Sequence, residues 1–143
     1  MLFRSKIDAC PINAASAGAQ GDKVGISWYT ASGDKPRVEF VSSSDGGATF
    51  GKTMIVSTGQ AYGYTMAAVD DTGGAVVSWL ERGDKGARLL ARYVSSAGVL
   101  GPVAQVAEGT RKDLGYPRLE RAGNDVWIAW NASSNVQTAR LTR

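Results

Sequence analysis

The side chains of this chain that are able to do chemistry are arginines, tyrosines and carboxylates. Arg37, Arg88 and Arg118 each open a stretch of alternating residues. A guanidinium there can grip a carboxylate through two parallel bonds. Tyr64 and Tyr116 each follow a glycine, and Asp113 and Glu120 lie close to the second of them. Phenols and carboxylates are groups that attack or move protons when a fold brings them together. No local motif fixes these seven positions, and ordinary loop polarity accounts for any one of them taken alone. A salt bridge to Arg118 or Arg121 is the expected use of Glu120. Histidine is absent, which excludes a Ser-His-Asp triad and a His-ligated metal within the chain. The single Cys10 excludes an internal disulfide and a Cys-rich metal site. No metal and no cofactor are expected.

The elements that position these groups repeat. Val24-Gly25-Ile26-Ser27-Trp28, Ala75-Val76-Val77-Ser78-Trp79 and Val126-Trp127-Ile128-Ala129-Trp130 end in tryptophans spaced 51 residues apart. A turn-like stretch precedes each of them. Gly63-Tyr64 matches Gly115-Tyr116, and Val38 to Ser44 matches Leu90 to Ser96. Within each repeat the period is two, which is the period of a strand. Breakers cut the chain into short strands, expected near 12–17, 23–30, 37–43 and 53–57 in the first repeat. The second gives 64–70, 74–81, 88–95 and 103–107, and the third 117–121, 125–131 and 135–142. Four antiparallel strands per repeat of this length mark a β-propeller blade. The expected fold is therefore all-β, with blades at 12–58, 63–108 and 117–143, and 2–7 as an outer strand of a neighbouring blade. A β-sandwich is the rival, and the regular spacing counts against it. The tryptophans, by their phase, are expected to pack between blades and not to stack on sugars.

The charge excludes less than the repeat does. Sixteen basic and 13 acidic residues leave +3, scattered without a basic block, so no nucleic-acid partner is expected. No apolar run is long enough for a membrane span. Met1 to Lys6 is too short and too polar for a signal peptide.

One hairpin carries a family resemblance. Ser43-Ser44-Asp45-Gly46-Gly47-Ala48-Thr49-Phe50 resembles the Asp-box, or bacterial neuraminidase repeat, with Ser43, Asp45, Gly47, Thr49 and Phe50 at its marked positions. The expected role is structural. Asp45 bonds nearby N–H groups, Gly47 permits a positive φ, and Phe50 tucks its ring under the turn. Ser95 to Gly101 is a degenerate copy that keeps the serines and a glycine. The wider chain resembles bacterial sialidase-like proteins through Cys10-Pro11-Ile12-Asn13, Ile26-Ser27-Trp28, the Asp-box and Gly115-Tyr116-Pro117-Arg118. The resemblance implies a six-bladed propeller, of which this chain is about half and by likeness the C-terminal part. It also implies an exported protein, and a substrate face opposite the Asp-boxes.

Strands alternate direction within a blade, so that face comprises 30–37, 59–64, 81–88, 109–118 and 131–135, with 8–13 entering on the same side. A sialidase needs arginines for the substrate carboxylate, a tyrosine nucleophile with a glutamate base, and an aspartate acid/base. By this resemblance Arg37, Arg88 and Arg118 are substrate-binding candidates, and Tyr64, Tyr116, Glu120 and Asp113 catalytic candidates. Three blades do not close a ring. The expected partners are a glycan and either the missing propeller half or a second copy, joined head to tail. Three functions stay open: an exo-sialidase-type hydrolase, a non-catalytic glycan-binding or interaction scaffold, and an inactive truncated fragment.

Overall fold

The computed structural model describes residues 13–142. The expected strand at 2–7 and Cys10 lie outside them. Strands β1 (Ser16–Gln20), β2 (Lys23–Thr30), β3 (Arg37–Ser43) and β4 (Met54–Ile55) form a first sheet in chain order. Strands β5 (Ala61–Val69), β6 (Ala75–Gly83), β7 (Gly86–Val94) and β8 (Leu100–Gly109) form a second. Strands β9 (Gly115–Ala122), β10 (Asp125–Ala132) and β11 (Asn135–Leu141) form a third. Every pairing is antiparallel.

Alternation decides how the sheets stack. Ala75, Val77 and Trp79 of β6 turn toward the first sheet, where they meet Tyr29, Val38 and Phe40 in one apolar cluster. Val76 and Leu80 turn the other way and join Val126, Ile128 and Trp130 of the third sheet in a second cluster. The second sheet is thus covered on both faces, and β6 is buried continuously from Ala75 to Glu81. Trp79 and Trp130 are buried between sheets, at 0% and 6% exposure. Trp28 belongs to the outward face of the first sheet with Val24 and Ile26, and all three are half-buried.

Several strand boundaries differ from expectation: β4 is shorter than 53–57 and β8 longer than 103–107, and three others have a local cause. The first strand is Ser16–Gln20, not 12–17, because Gly21 (φ 56°) closes a tight turn that pairs Gln20 with Lys23 and Ser16 with Ser27. Its Ala-Gly-Ala run carries no apolar alternation to read. A Cβ on Gly18 would lie 2.5 Å from the Ala67 carbonyl oxygen, so this bareness lets β1 press against β5. Strands β5 and β9 start at Ala61 and Gly115, ahead of the expected 64 and 117. Register shifts between Ala61 and Met66, and between Ala129 and Asn131, extend the pairing past each Gly-Tyr pair.

The first strands of the three sheets contact one another at matching positions. The Ala67 N–H donates to Ser16 Oγ at 3.3 Å, across 51 residues. Gln20 Nε2 donates to Asp71 Oδ1 at 2.8 Å, again across 51. Arg121 completes that set from the third sheet, with Nη1 to Oδ1 at 3.1 Å and Nη2 to Oδ2 at 2.6 Å on the same Asp71 carboxylate. The interface between sheets repeats as the sequence does.

A buried carboxylate ties the second sheet to the segment that enters it from the first. Glu81 is 1% exposed. It accepts from the Thr58 N–H at 3.1 Å, the Thr58 hydroxyl, Trp79 Nε1 at 3.0 Å and Arg88 Nη2 at 3.2 Å. Burial pushes its pKa up. The bonds from Trp79, Thr58 and Gly59 outweigh burial and hold it below the ordinary value.

Candidate functional site

The two ends of the sheets differ in chemistry. At one end the hairpin between β3 and β4 lies beside the turn of β1 and β2, with the Gly46 N–H donating to the Asp22 carbonyl at 2.9 Å. Asp45 organises it. Its Oδ1 accepts from Ser43 Oγ at 2.7 Å and from the Thr49 N–H at 2.8 Å, and its Oδ2 from Thr49 Oγ1 at 2.5 Å. Ser43 Oγ accepts in turn from the Gly47 N–H at 2.9 Å. Gly46 and Gly47 take φ of 69° and 86°. The Phe50 ring lies 3.7 Å from where a Gly47 Cβ would stand. The Thr49 hydroxyl, the Thr49 N–H and the Ser43 hydroxyl lower the Asp45 pKa to about 2. The side chains of Ser43, Asp45 and Thr49 are spent on the turn itself. In the degenerate copy, Ser95 Oγ still accepts from the Val99 N–H at 3.0 Å, and Gly98 takes φ 78°.

The opposite end carries the tyrosines. Tyr64 and Tyr116 start neighbouring first strands, and their rings meet edge to face with centroids 5.8 Å apart and planes at 87°. Both residues adopt φ 51°, a left-handed conformation that a bulky side chain rarely accepts. Tyr116 is 63% exposed and Tyr64 is half-buried. Two residues beyond Tyr116, Arg118 is exposed and reaches back to Met66 Sδ at 3.9 Å. The Arg111 guanidinium stacks 4.7 Å over the Tyr62 ring. The Asn13 side chain spans the next step, with Nδ2 donating to the Tyr62 carbonyl at 3.0 Å and Oδ1 accepting from the Tyr64 N–H at 3.0 Å.

Only part of the predicted set converges. Arg37, Arg88 and Asp113 lie toward the same end as Tyr64, Tyr116 and Arg118, but other partners take them up. Arg37 opens β3, where Glu39 holds it at 2.7 Å and the carbonyls of Ser32 and Lys35 accept from it. Arg88 lies on β7 and is paired with Glu81. Asp113 sits between β8 and β9 and accepts from the Ser133 hydroxyl and from Thr110. Those donors hold its pKa below the ordinary value, which suits a loop cap and makes it a weak proton donor near neutral pH. Glu120 is exposed on β9, on the face of the third sheet that also carries Trp127 of β10. Among the described residues its expected salt bridge is not made, because Arg121 pairs with Asp71 instead. Sequence reasoning placed Tyr62 and Arg111 on this face without a role, and passed over the side-chain role of Asn13. The Gly63-Tyr64 and Gly115-Tyr116 match was the signal available for this end.

Beyond this surface, the first strands line a groove of about 560 Å³ formed by residues such as Gly18, Ala68, Leu119 and Asn124. No group of histidine, cysteine and carboxylate side chains able to hold a metal occurs among the described residues. No helix among them is long and apolar enough to cross a membrane.

Three stacked antiparallel sheets of three or four strands, joined in chain order, make this chain an all-β partial propeller. No protein-family model matches the sequence, and no curated relative matches it. Solved structures match its fold. The NanB sialidase from Streptococcus pneumoniae superposes with a TM-score of 0.53 at 17% identity, over 89% of this chain and 23% of that one. The Bombyx mori GH32 beta-fructofuranosidase BmSUC1 superposes with a TM-score of 0.52 at 13% identity, over 90% of this chain and 33% of that one. The chain thus spans about a quarter of the first of these solved chains and a third of the second. At such identities the likeness is one of fold.

Proposed function

We propose that the chain is a sialidase-like portion of a propeller that presents a glycan-facing surface built on Tyr64, Tyr116 and Arg118. The observation that carries this reading is the tyrosine pair. Two bulky residues are held at φ 51° at matching positions, with one ring largely exposed. Strain of this kind persists where the surroundings over-determine it, and it gathers at ligand-binding sites. An exposed phenol offers an apolar face and a hydrogen bond, and Arg118 adds a carboxylate-binding fork. The hydrogen-bonded turn at Ser43–Phe50, at the opposite end, supports its reading as an Asp-box. The folds shared with a sialidase and a fructofuranosidase support a sugar as ligand class.

The non-catalytic reading has its own support. Arg37 and Arg88 are committed to Glu39 and Glu81 and do not join Arg118. The surface therefore fits binding better than hydrolysis by this chain alone. Further blades would come from the missing propeller half or from a second copy. Light scattering tests the second copy, and a stable monomer near 15 kDa sinks it. A fluorogenic sialoside assay and a glycan array test the surface itself. Turnover lost in Tyr116→Phe or Tyr64→Phe supports an enzyme. Saturable binding without turnover, lost in Arg118→Ala, supports the module. Neither turnover nor binding removes the glycan reading and leaves a protein-interaction scaffold or an inactive fragment.

A further inference from the structure

We infer that Asn13 is a positioning residue for the tyrosine pair, setting Tyr64 directly and Tyr116 through it. The proposal rests on the glycan-facing reading for its purpose, but its geometry stands apart. Asn13, Tyr64 and Tyr116 occupy matching places ahead of or at the start of three neighbouring first strands, 51 and 52 residues apart. Each touches the next. The Asn13 amide clamps the backbone on both sides of Gly63, and the Tyr64 ring then meets the Tyr116 ring. The two partners fix the amide orientation, because a carbonyl must face Nδ2 and an N–H must face Oδ1.

The clamp explains how Tyr64 keeps its conformation. Left-handed φ at a tyrosine is costly and needs an external restraint. Gly63, at φ 91°, leaves the room for it, since a Cβ there would lie 2.5 Å from the Asn13 amide. Tyr116 stands one blade further on, where the matching neighbour is a tyrosine and not an amide. Its side chain has the Tyr64 ring to lean on. The dependence therefore runs one way, from Asn13 to Tyr64 to Tyr116.

Amide exchange and ring-proton shifts read by NMR on the intact chain test this. In folded Asn13→Ala, the Tyr64 N–H is expected to exchange about tenfold faster, the effect of one lost hydrogen bond. The Tyr116 ring signals are expected to move as the edge contact loosens. Asn13→Asp, read at a pH low enough to protonate the new carboxyl, keeps an acceptor for the Tyr64 N–H and a donor for the Tyr62 carbonyl, so protection there should return. Tyr116→Ala should leave Tyr64 exchange unchanged, because the dependence is one-way. A folded Asn13→Ala with unchanged Tyr64 exchange and unchanged Tyr116 signals overturns the proposal. If Asn13→Ala does not fold, Asn13→Asp at that low pH decides: Tyr64 protection as in the wild type supports it, and loss of protection overturns it. Glycan-array binding by the wild type is measured alongside. Its absence removes the glycan reading and leaves the exchange result standing.

Discussion

Tyr64 and Tyr116 lie 52 residues apart in sequence and hold the same backbone angle, φ 51°, while their rings touch at 5.8 Å. One is half-buried and the other is 63% exposed. The same strain is therefore carried by two residues with different packing, and replacement should separate the two effects.

Glycine at these positions removes the left-handed penalty and the ring together. Tyr116→Gly gives up little buried surface, so its stability should stay within about 1 kcal/mol of the wild type, while glycan binding is lost. Tyr64→Gly also empties a place beside the second apolar cluster, and should cost about 2 kcal/mol. Urea unfolding of the two variants checks this. Equal losses would show that the exposed ring packs as well as the half-buried one.

Glu81 should act as the structural joint between the second sheet and the segment that enters it from the first. Glu81→Gln puts an amide N–H₂ among donors and leaves Arg88 without its counter-charge, at a cost of about 2–4 kcal/mol. The folded pKa is held below the ordinary value. The stabilisation from its charge is therefore complete above the unfolded value and fades as pH falls through the folded one. Thermal unfolding of wild type and Glu81→Gln between pH 7 and pH 3 should show the difference narrowing on the acid side. A constant difference counts against an ionised joint.

Asp45 offers a local acid transition. Its pKa is lowered from 3.8 to about 2 by the Thr49 hydroxyl and N–H and by Ser43. The carboxylate stabilises the turn fully above its unfolded value and loses that effect as pH falls through about 2. The Thr49 amide resonance should titrate with that midpoint. The Ser95–Gly101 turn, which has no aspartate, should show no such step. A midpoint near 4 at Thr49 would mean that the hydrogen bonds are not kept in solution.

The sequence disclosed the repeat and the stacking far better than the site. Trp79 and Trp130 carry large apolar rings at a fixed interval and in strand phase, so their burial between sheets was readable. The bareness of Ala17-Gly18-Ala19 was not, because the reason for it is the Ala67 carbonyl of another sheet. The glycines before Tyr64 and Tyr116 marked an unusual place, yet the left-handed residues include the tyrosines themselves. Side-chain type suggested three arginines acting together. Their strands separate them, since Arg37 and Arg88 start third strands and Arg118 lies on a first strand. Neighbouring carboxylates then claim two of them, an outcome that only spatial pairing reveals.

The matching contacts between first strands also bear on how the molecule comes together. Each joins residues some 50 positions apart, so the entropy of closing the intervening loop is nearly the same at both junctions. Neither junction is favoured by chain length. What differs is the middle sheet, whose two faces both find partners among the described residues. Assembly should therefore nucleate there and spread to either side, as in other proteins whose units bind their nearest neighbours. The outer sheets would then be the first to open and the last to close.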